Sequence, residues 1–219
     1  MLIGLRNAMM AGKRLPYDAE VEYLGCTGGI GIGQYIDTGI APTDNAQFEL
    51  TVEQDTTVSL ANVGLVCAWK TVGDASTAGT YIVSRIYSST GRGTYIQWGQ
   101  SSTVGVNIPY PTGRVTFGIS KSGMTYNGDA AYSIRATAVS QLGNAYILGS
   151  PVSGMRRLYG KFYGYKHFEG SALVRDLIPV RMKGVGYAYD RVSGALLGNQ
   201  GTGAFIIGPD ASAANGGGV

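Results

Sequence analysis

Cysteine, histidine and charge are all scarce in this chain. Two cysteines, Cys26 and Cys67, and a single histidine, His167, stand among 219 residues. Two thiols make no disulfide framework, which excludes the small cysteine-stapled scaffolds. One bridge and two separate thiols both remain open, the second being favoured. With one histidine far away in sequence, they supply neither the number nor the spacing of a zinc site. Charged residues make up 14% of the chain, against about 25% in ordinary soluble proteins. The net charge of +3 is spread without any block of like charges, which argues against nucleic acid or an acidic membrane surface as a partner. A surface so poor in charge is either kept polar by Ser, Thr, Gln and Tyr or partly covered by neighbouring subunits. No stretch approaches the ~20 apolar residues of a membrane span. The start, MLIGLRNAMMAGKRLP, lacks the apolar run of about 7–15 residues of an export signal. Arg6 and Asn7 interrupt it early, and it reads as a retained segment.

What the chain does have points to β-structure. Its 35 glycines are dispersed with no collagen-like period, and 15 tyrosines stand against 5 phenylalanines and 2 tryptophans. Tyrosine suits a half-buried pleated surface, ring on the sheet and hydroxyl towards water. In residues 46–53, Phe48, Leu50 and Val52 alternate with Gln47, Glu49, Thr51 and Glu53, the period of a strand with one buried face. Val115, Phe117 and Ile119 repeat the pattern, as do Tyr132 and Ile134. Further strands are expected over 64–69, 81–87, 94–98, 103–107, 146–148, 158–168, 173–181 and 185–190. Over 158–168 the alternation puts Tyr159, Lys161, Tyr163, Tyr165 and His167 on one face and Leu158, Phe162 and Phe168 on the other. Asn127-Gly128 is a hairpin turn signal. Many short strands without a convincing helix imply an all-β, two-sheet antiparallel sandwich over residues 21–208. Its expected core is Phe48, Leu50, Val52, Phe117, Ile119, Ile134, Ile147 and Phe162. Residues 1–20 read as an arm with one or two helical turns, and 209–219 as a flexible glycine-rich tail.

Two stretches carry a family likeness. Residues 22–40, EYLGCTGGIGIGQYIDTGI, resemble the opening block of concanavalin-like (laminin-G-like) jelly-roll domains of gut bacteria and their phages. Residues 163–208, with LVRDLIPVR, GVGYAYDRVSG and LLGNQGTGAFIIG, resemble that group's closing block. Cys26-Thr27-Gly28 and the following Gly-Ile-Gly-Ile-Gly depart from the usual Ser-Thr-Gly of the opening block. The resemblance implies a jelly-roll sandwich, and the arm running straight into it resembles phage virion proteins more than secreted lectins. Asp37 and Asp190 end strand patterns, where a carboxylate accepts turn N–H groups. Arg175-Asp176 reads as a locally ion-paired bend.

Catalytic constellations are hard to assemble from these residues. Gly28–Gly33 is followed by a strand pattern and no GK[ST], so it reads as a β loop, not a phosphate loop. His167 has no G-x-S-x-G partner and reads as structural or surface. The only E-x-D-x-E-like spacing is Asp18-Ala-Glu20-Val-Glu22, with the wrong acids and in the arm, so a glycosidase carboxylate pair is not expected. Asp44, Asp74 and Asp129 each offer one oxygen ligand but form no calcium loop. The chain is therefore expected not to be an enzyme, and no cofactor or metal is implied.

Binding is the function left. Tyr87, Tyr95, Trp98, Tyr110 and Tyr126, with Gln97, Gln100, Asn107 and Asn127 beside them, offer aromatic platforms and amides for a glycan. The same aromatics also suit core or interface packing. In the arm, Leu2, Ile3, Leu5, Met9 and Met10 with Arg6, Lys13 and Arg14 read as an assembly surface for a partner subunit. Two functions follow. One is a non-catalytic structural or adhesive subunit of a virion, made in the host cytoplasm. Its partners would be other virion proteins, further copies of the chain, and host-surface glycans. The other is a free lectin-like module of a bacterial surface.

Overall fold

The computed structural model describes residues 15–28, 33–55, 63–69, 81–87, 93–99, 113–133, 136–151 and 157–211. Sixteen strands run through them. In chain order these are β1 Ala19–Glu20, β2 Leu24–Thr27, β3 Ile36–Asp37, β4 Ala46–Gln54, β5 Val63–Trp69, β6 Tyr81–Tyr87, β7 Gly93–Trp98 and β8 Arg114–Ser120. There follow β9 Gly123–Tyr126, β10 Asp129–Ser133, β11 Tyr146–Ile147, β12 Tyr159–Glu169, β13 Ala172–Met182, β14 Val185–Asp190, β15 Leu196–Leu197 and β16 Ile206–Ile207. They form a larger sheet, β10-β9-β8-β4-β12-β13-β14-β15 with β1 on β13 and the pair β16-β2 on β12, and a smaller one, β3-β11-β5-β6-β7. Every pairing is antiparallel. The domain is an all-β sandwich.

The core forms because alternation puts one face of each sheet against the other. Phe48, Leu50 and Val52 of β4 pair with Ile119, Phe117 and Val115 of β8, and all six are buried. They share one cluster with Leu65 and Val66 of β5, Ile82 of β6, Ile96 of β7 and Ile147 of β11, which belong to the small sheet. Of the expected core, only Ile134 lies outside the described residues. The opposite face of β4 carries polar pairs. Glu49 meets Lys166 at 3.2 Å and Glu53 meets Lys161 at 3.0 Å, and Thr51 bonds Thr116 at 2.8 Å. Such exposed ion pairs contribute at most about 1 kcal/mol each, so the apolar face decides the register.

Turn chemistry sets the hairpins. Asn127 (φ 51°) and Gly128 (φ 92°) join β9 to β10, as their sequence signalled. Lys183 (φ 50°) and Gly184 (φ 77°) join β13 to β14 in the same two-residue manner. Positive φ at both central positions matches the strand twist. The Lys183 N–H donates to Asp18 at 2.6 Å, which tethers the entering chain to this turn.

Four expectations need correction. The sandwich starts before residue 21. Tyr17 is buried edge-on against Tyr189, and β1 pairs Ala19 and Glu20 with Arg181 and Val180. It also runs past 208, because Val21 bridges Asp210 and Arg181 pairs with Asp210 at 2.8 Å. Alternation along β12 breaks at Tyr163, where Phe162 opposes Val52 but Gly164 opposes Thr51. That one-residue bulge turns Tyr165 and His167 into the core, on the side of Phe162. Finally, Arg175 and Asp176 do not pair with each other. Arg175 reaches Asp190 at 3.2 Å, and Asp176 reaches Arg191 at 3.8 Å. The arm residues Leu2, Ile3, Leu5, Arg6, Met9, Met10, Lys13 and Arg14 lie outside the described residues, as do 103–107.

Candidate functional site

Of the expected glycan platform, Trp98 faces the core. Trp98 is fully buried in the core, tilted against Phe48, and its indole N–H donates to Asp44 at 3.3 Å. It presents no face to a ligand, because the alternation of β7 turns Ile96 and Trp98 inward together. Tyr126 is half-buried, edge-on to Phe117 across the β8–β9 pair. Gln97 is half-buried on β7; Tyr87 and Tyr95 lie on β6 and β7. Tyr110, Gln100, Asn107 and Asp74 lie outside the described residues. Among the described residues no three His, Cys, Asp or Glu side chains gather around a point, and Asp44 and Asp129 stand apart. Asp44 is occupied structurally. Burial alone would raise its pKa, but donors from Lys121, the Val139 N–H and Trp98 outweigh that and hold it below the ordinary carboxylate value. Cys26 and Cys67 are both buried and not joined in a disulfide.

The structure brings a different set of residues together on the outer face of the large sheet. Arg114, Glu53, Lys161, Gly25 and Ile206 stand in register across β8, β4, β12, β2 and β16. A groove of about 500 Å³ lies over the Glu53, Lys161, Gly25 and Ile206 part of this row, lined also by Tyr23, Tyr159, Thr27 and Asp55. Gly25 allows the close approach of β16, since a Cβ there would stand 2.9 Å from the Ile206 Cβ. The walls are held from behind. Tyr163 donates to Glu53 at 2.7 Å and meets the Tyr23 ring edge-on at 5.9 Å between centroids. The Lys161 ammonium lies 5.0 Å from the centre of Tyr23, and the Arg114 guanidinium 4.2 Å from that of Tyr163. Tyr163's hydrogen bond, then Lys161's, lower the Glu53 pKa, so the groove holds a carboxylate fixed in place at neutral pH. The sequence signal was the Tyr159, Lys161, Tyr163 face of one strand. The contributions of residues 23–27 and 206 come through pairing across the whole chain, which leaves no local trace.

His167 is a buried titratable group of this sheet. Its Nε2 lies 2.7 Å from Glu169 Oε1, and its ring lies 4.7 Å from that of Phe48. His167 Nδ1 and the Tyr165 hydroxyl are buried and find no hydrogen-bond partner among the described residues. Burial lowers the His167 pKa, against the opposing pull of Glu169. In the unfolded chain the imidazole takes a proton near its ordinary value of ~6.5, while the folded one resists. Stability is therefore expected to fall as pH drops through about 6.5, levelling off once the folded form also protonates. Denaturation midpoints between pH 8 and 5 test this. His167 is the only histidine, so His167→Gln should flatten the slope in that window, and an unchanged slope would refute the assignment.

In comparisons with known proteins, no family model, no curated protein and no solved structure matches the chain. Among the described residues no helix is long and apolar enough to cross a membrane.

Proposed function

We propose that this chain is a non-catalytic structural and adhesive subunit of a phage particle, a concanavalin-like jelly roll that joins other virion proteins and further copies of itself and touches host-surface glycans. The supporting observation is that the two sequence blocks on which the family resemblance rests are bonded to each other. Gln34 accepts from the Thr27 N–H at 2.8 Å and donates to the Ala204 carbonyl at 2.8 Å. Asn199 accepts from the Tyr35 N–H at 3.1 Å, and Thr202 accepts from the Gly33 N–H at 2.8 Å. The buried Arg157 braces the opening block beside this seam, donating to the Gly33 carbonyl at 2.8 Å while lying 4.7 Å from the centre of the Tyr35 ring. Short polar side chains and glycines at these positions thus have a shared physical purpose: they close the sandwich by joining its first and last segments.

On this reading the apolar and basic side chains of residues 1–14 dock on a partner subunit. Deleting residues 2–16 keeps Tyr17 and β1, so the domain is expected to stay folded with its thermal midpoint nearly unchanged while failing to join its particle or oligomer. Normal assembly of the truncated chain, or its unfolding, would overturn the docking role. Mass spectrometry of purified particles tests the wider proposal. Stoichiometric presence is expected, and a chain found only on bacterial surfaces would replace the virion reading with the lectin one.

A further inference from the structure

We propose that the groove over β4, β12, β2 and β16 is a binding subsite for a short neutral saccharide. This rests on the reading of the chain as a binding subunit, and it places the contact away from the middle segment in which the sequence suggested one. A pyranose has an apolar C–H face and a rim of hydroxyls that both donate and accept. A site for it needs an aromatic wall and polar groups of both kinds, within the roughly 300–1,000 Å³ usual for small-ligand sites. Here Tyr23 and Tyr159 supply the walls, Glu53 and Asp55 accept, Lys161 donates, and Thr27 contributes a hydroxyl, around about 500 Å³.

Three features select the ligand class. The first is order before binding. Glu53 is held by both Tyr163 and Lys161, and the Tyr23 ring by Tyr163 and Lys161, so little side-chain freedom remains to be lost. The second is charge. Among the described residues that line the groove, the charges are Lys161, already paired with Glu53, and Asp55, so the lining is net negative and disfavours a phosphate or carboxylate ligand. The third is the floor. Strands β4, β12 and β2 are each hydrogen-bonded on both sides, so they offer no open edge to which an extended peptide could add as a strand. Over these three strands, ring and side-chain contacts are what the surface has to offer.

The test is a titration of the full-length, isotopically labelled protein, followed by NMR. The probes are methyl pyranosides of glucose, galactose, mannose and N-acetylglucosamine, and the trisaccharides maltotriose, cellotriose and chitotriose. At least one is expected to shift the amide signals of Gly25, Gly113, Gly160 and Lys161 in a saturable way. Tyr23→Ala should weaken that probe about tenfold, and Lys161→Ala about threefold or more. Lys161 is half-exposed, so its variant decides the matter if Tyr23→Ala fails to fold. Sialyllactose should bind no better than lactose. The proposal fails if no neutral probe moves the groove signals, or if binding in a folded variant stays within about twofold of the parent. It also fails if the anionic sugar wins. Binding elsewhere on a protein that is present in particles would sink the groove alone. A working groove on a protein absent from particles would sink the virion reading alone.

Discussion

Asp190→Ala is expected to lower stability by about 3–5 kcal/mol, the cost of removing one partner of a buried ion pair. The carboxylate is fully buried and accepts from the backbone N–H groups of Asp176 at 3.0 Å, Val192 at 3.1 Å and Ser193 at 3.2 Å, and from the Ser193 hydroxyl. Arg175 lies against it at 3.2 Å. Alanine would leave those N–H groups without their acceptor and the guanidinium without its counter-charge, bonded only to the Thr38 and Val174 carbonyls, inside a hairpin that also carries the edge strand β15. For a domain of this size the thermal midpoint should fall by roughly 6–20 °C. Asp190→Asn, which keeps the shape and one acceptor oxygen, should lose less. Burial would by itself raise the Asp190 pKa, but these donors and Arg175 bring it below the ordinary value. Its contribution is therefore complete above the unfolded carboxylate value near 3.9 and is lost as pH falls through the lower folded value. An alanine variant as stable as the parent at pH 7 would show that the network carries no weight.

Trp98→Ala should cost a similar amount, about 3–5 kcal/mol, for a different reason. The largest fully buried side chain among the described residues would be deleted from the core, leaving a cavity beside Phe48 and removing one donor from Asp44. Chemical denaturation should show a lower midpoint with an unchanged slope, and Trp98→Phe should recover most of the loss. Any fall in glycan binding by the alanine variant would then report lost structure, not a lost contact. A variant of parental stability would place this ring outside the core.

Much of the fold was readable because the buried faces are regular. Phe48, Leu50 and Val52, and Val115, Phe117 and Ile119, alternate without a break, and a strand with one dry face tolerates no other register. The errors have local causes. In β12 a single extra residue at Tyr163 reversed the facing of Tyr165 and His167, and no side chain in the sequence marks a bulge. In β7, Tyr95 and Trp98 read as a platform from their nearness to Gln97 and Gln100, whereas alternation carries Trp98 inward with Ile96. The arm boundary was misplaced because β1 has only two residues, whose pairing comes from β13, far along the chain. The candidate site was the least legible part. Tyr159 and Lys161 stood out on one strand face, but Tyr23, Gly25 and Ile206 reach them only through long-range pairing.

The position of β2 also governs when this chain can fold. Its neighbours on either side are β12 and β16, so Leu24 must wait for Phe162 and then for Ile207. At a synthesis rate of ~5–20 residues per second, that wait is on the order of ten seconds or longer on the ribosome. The hairpins β12-β13-β14 close locally and can assemble promptly, but the N-terminal block waits for β11 and β12, far downstream in the chain. Until then its tyrosines and Ile36 stay available to chaperones and to other nascent chains. Contacts of such sequence separation also slow the final closure. Production of this protein should therefore respond to translation speed and chaperone supply more than its native stability alone would suggest.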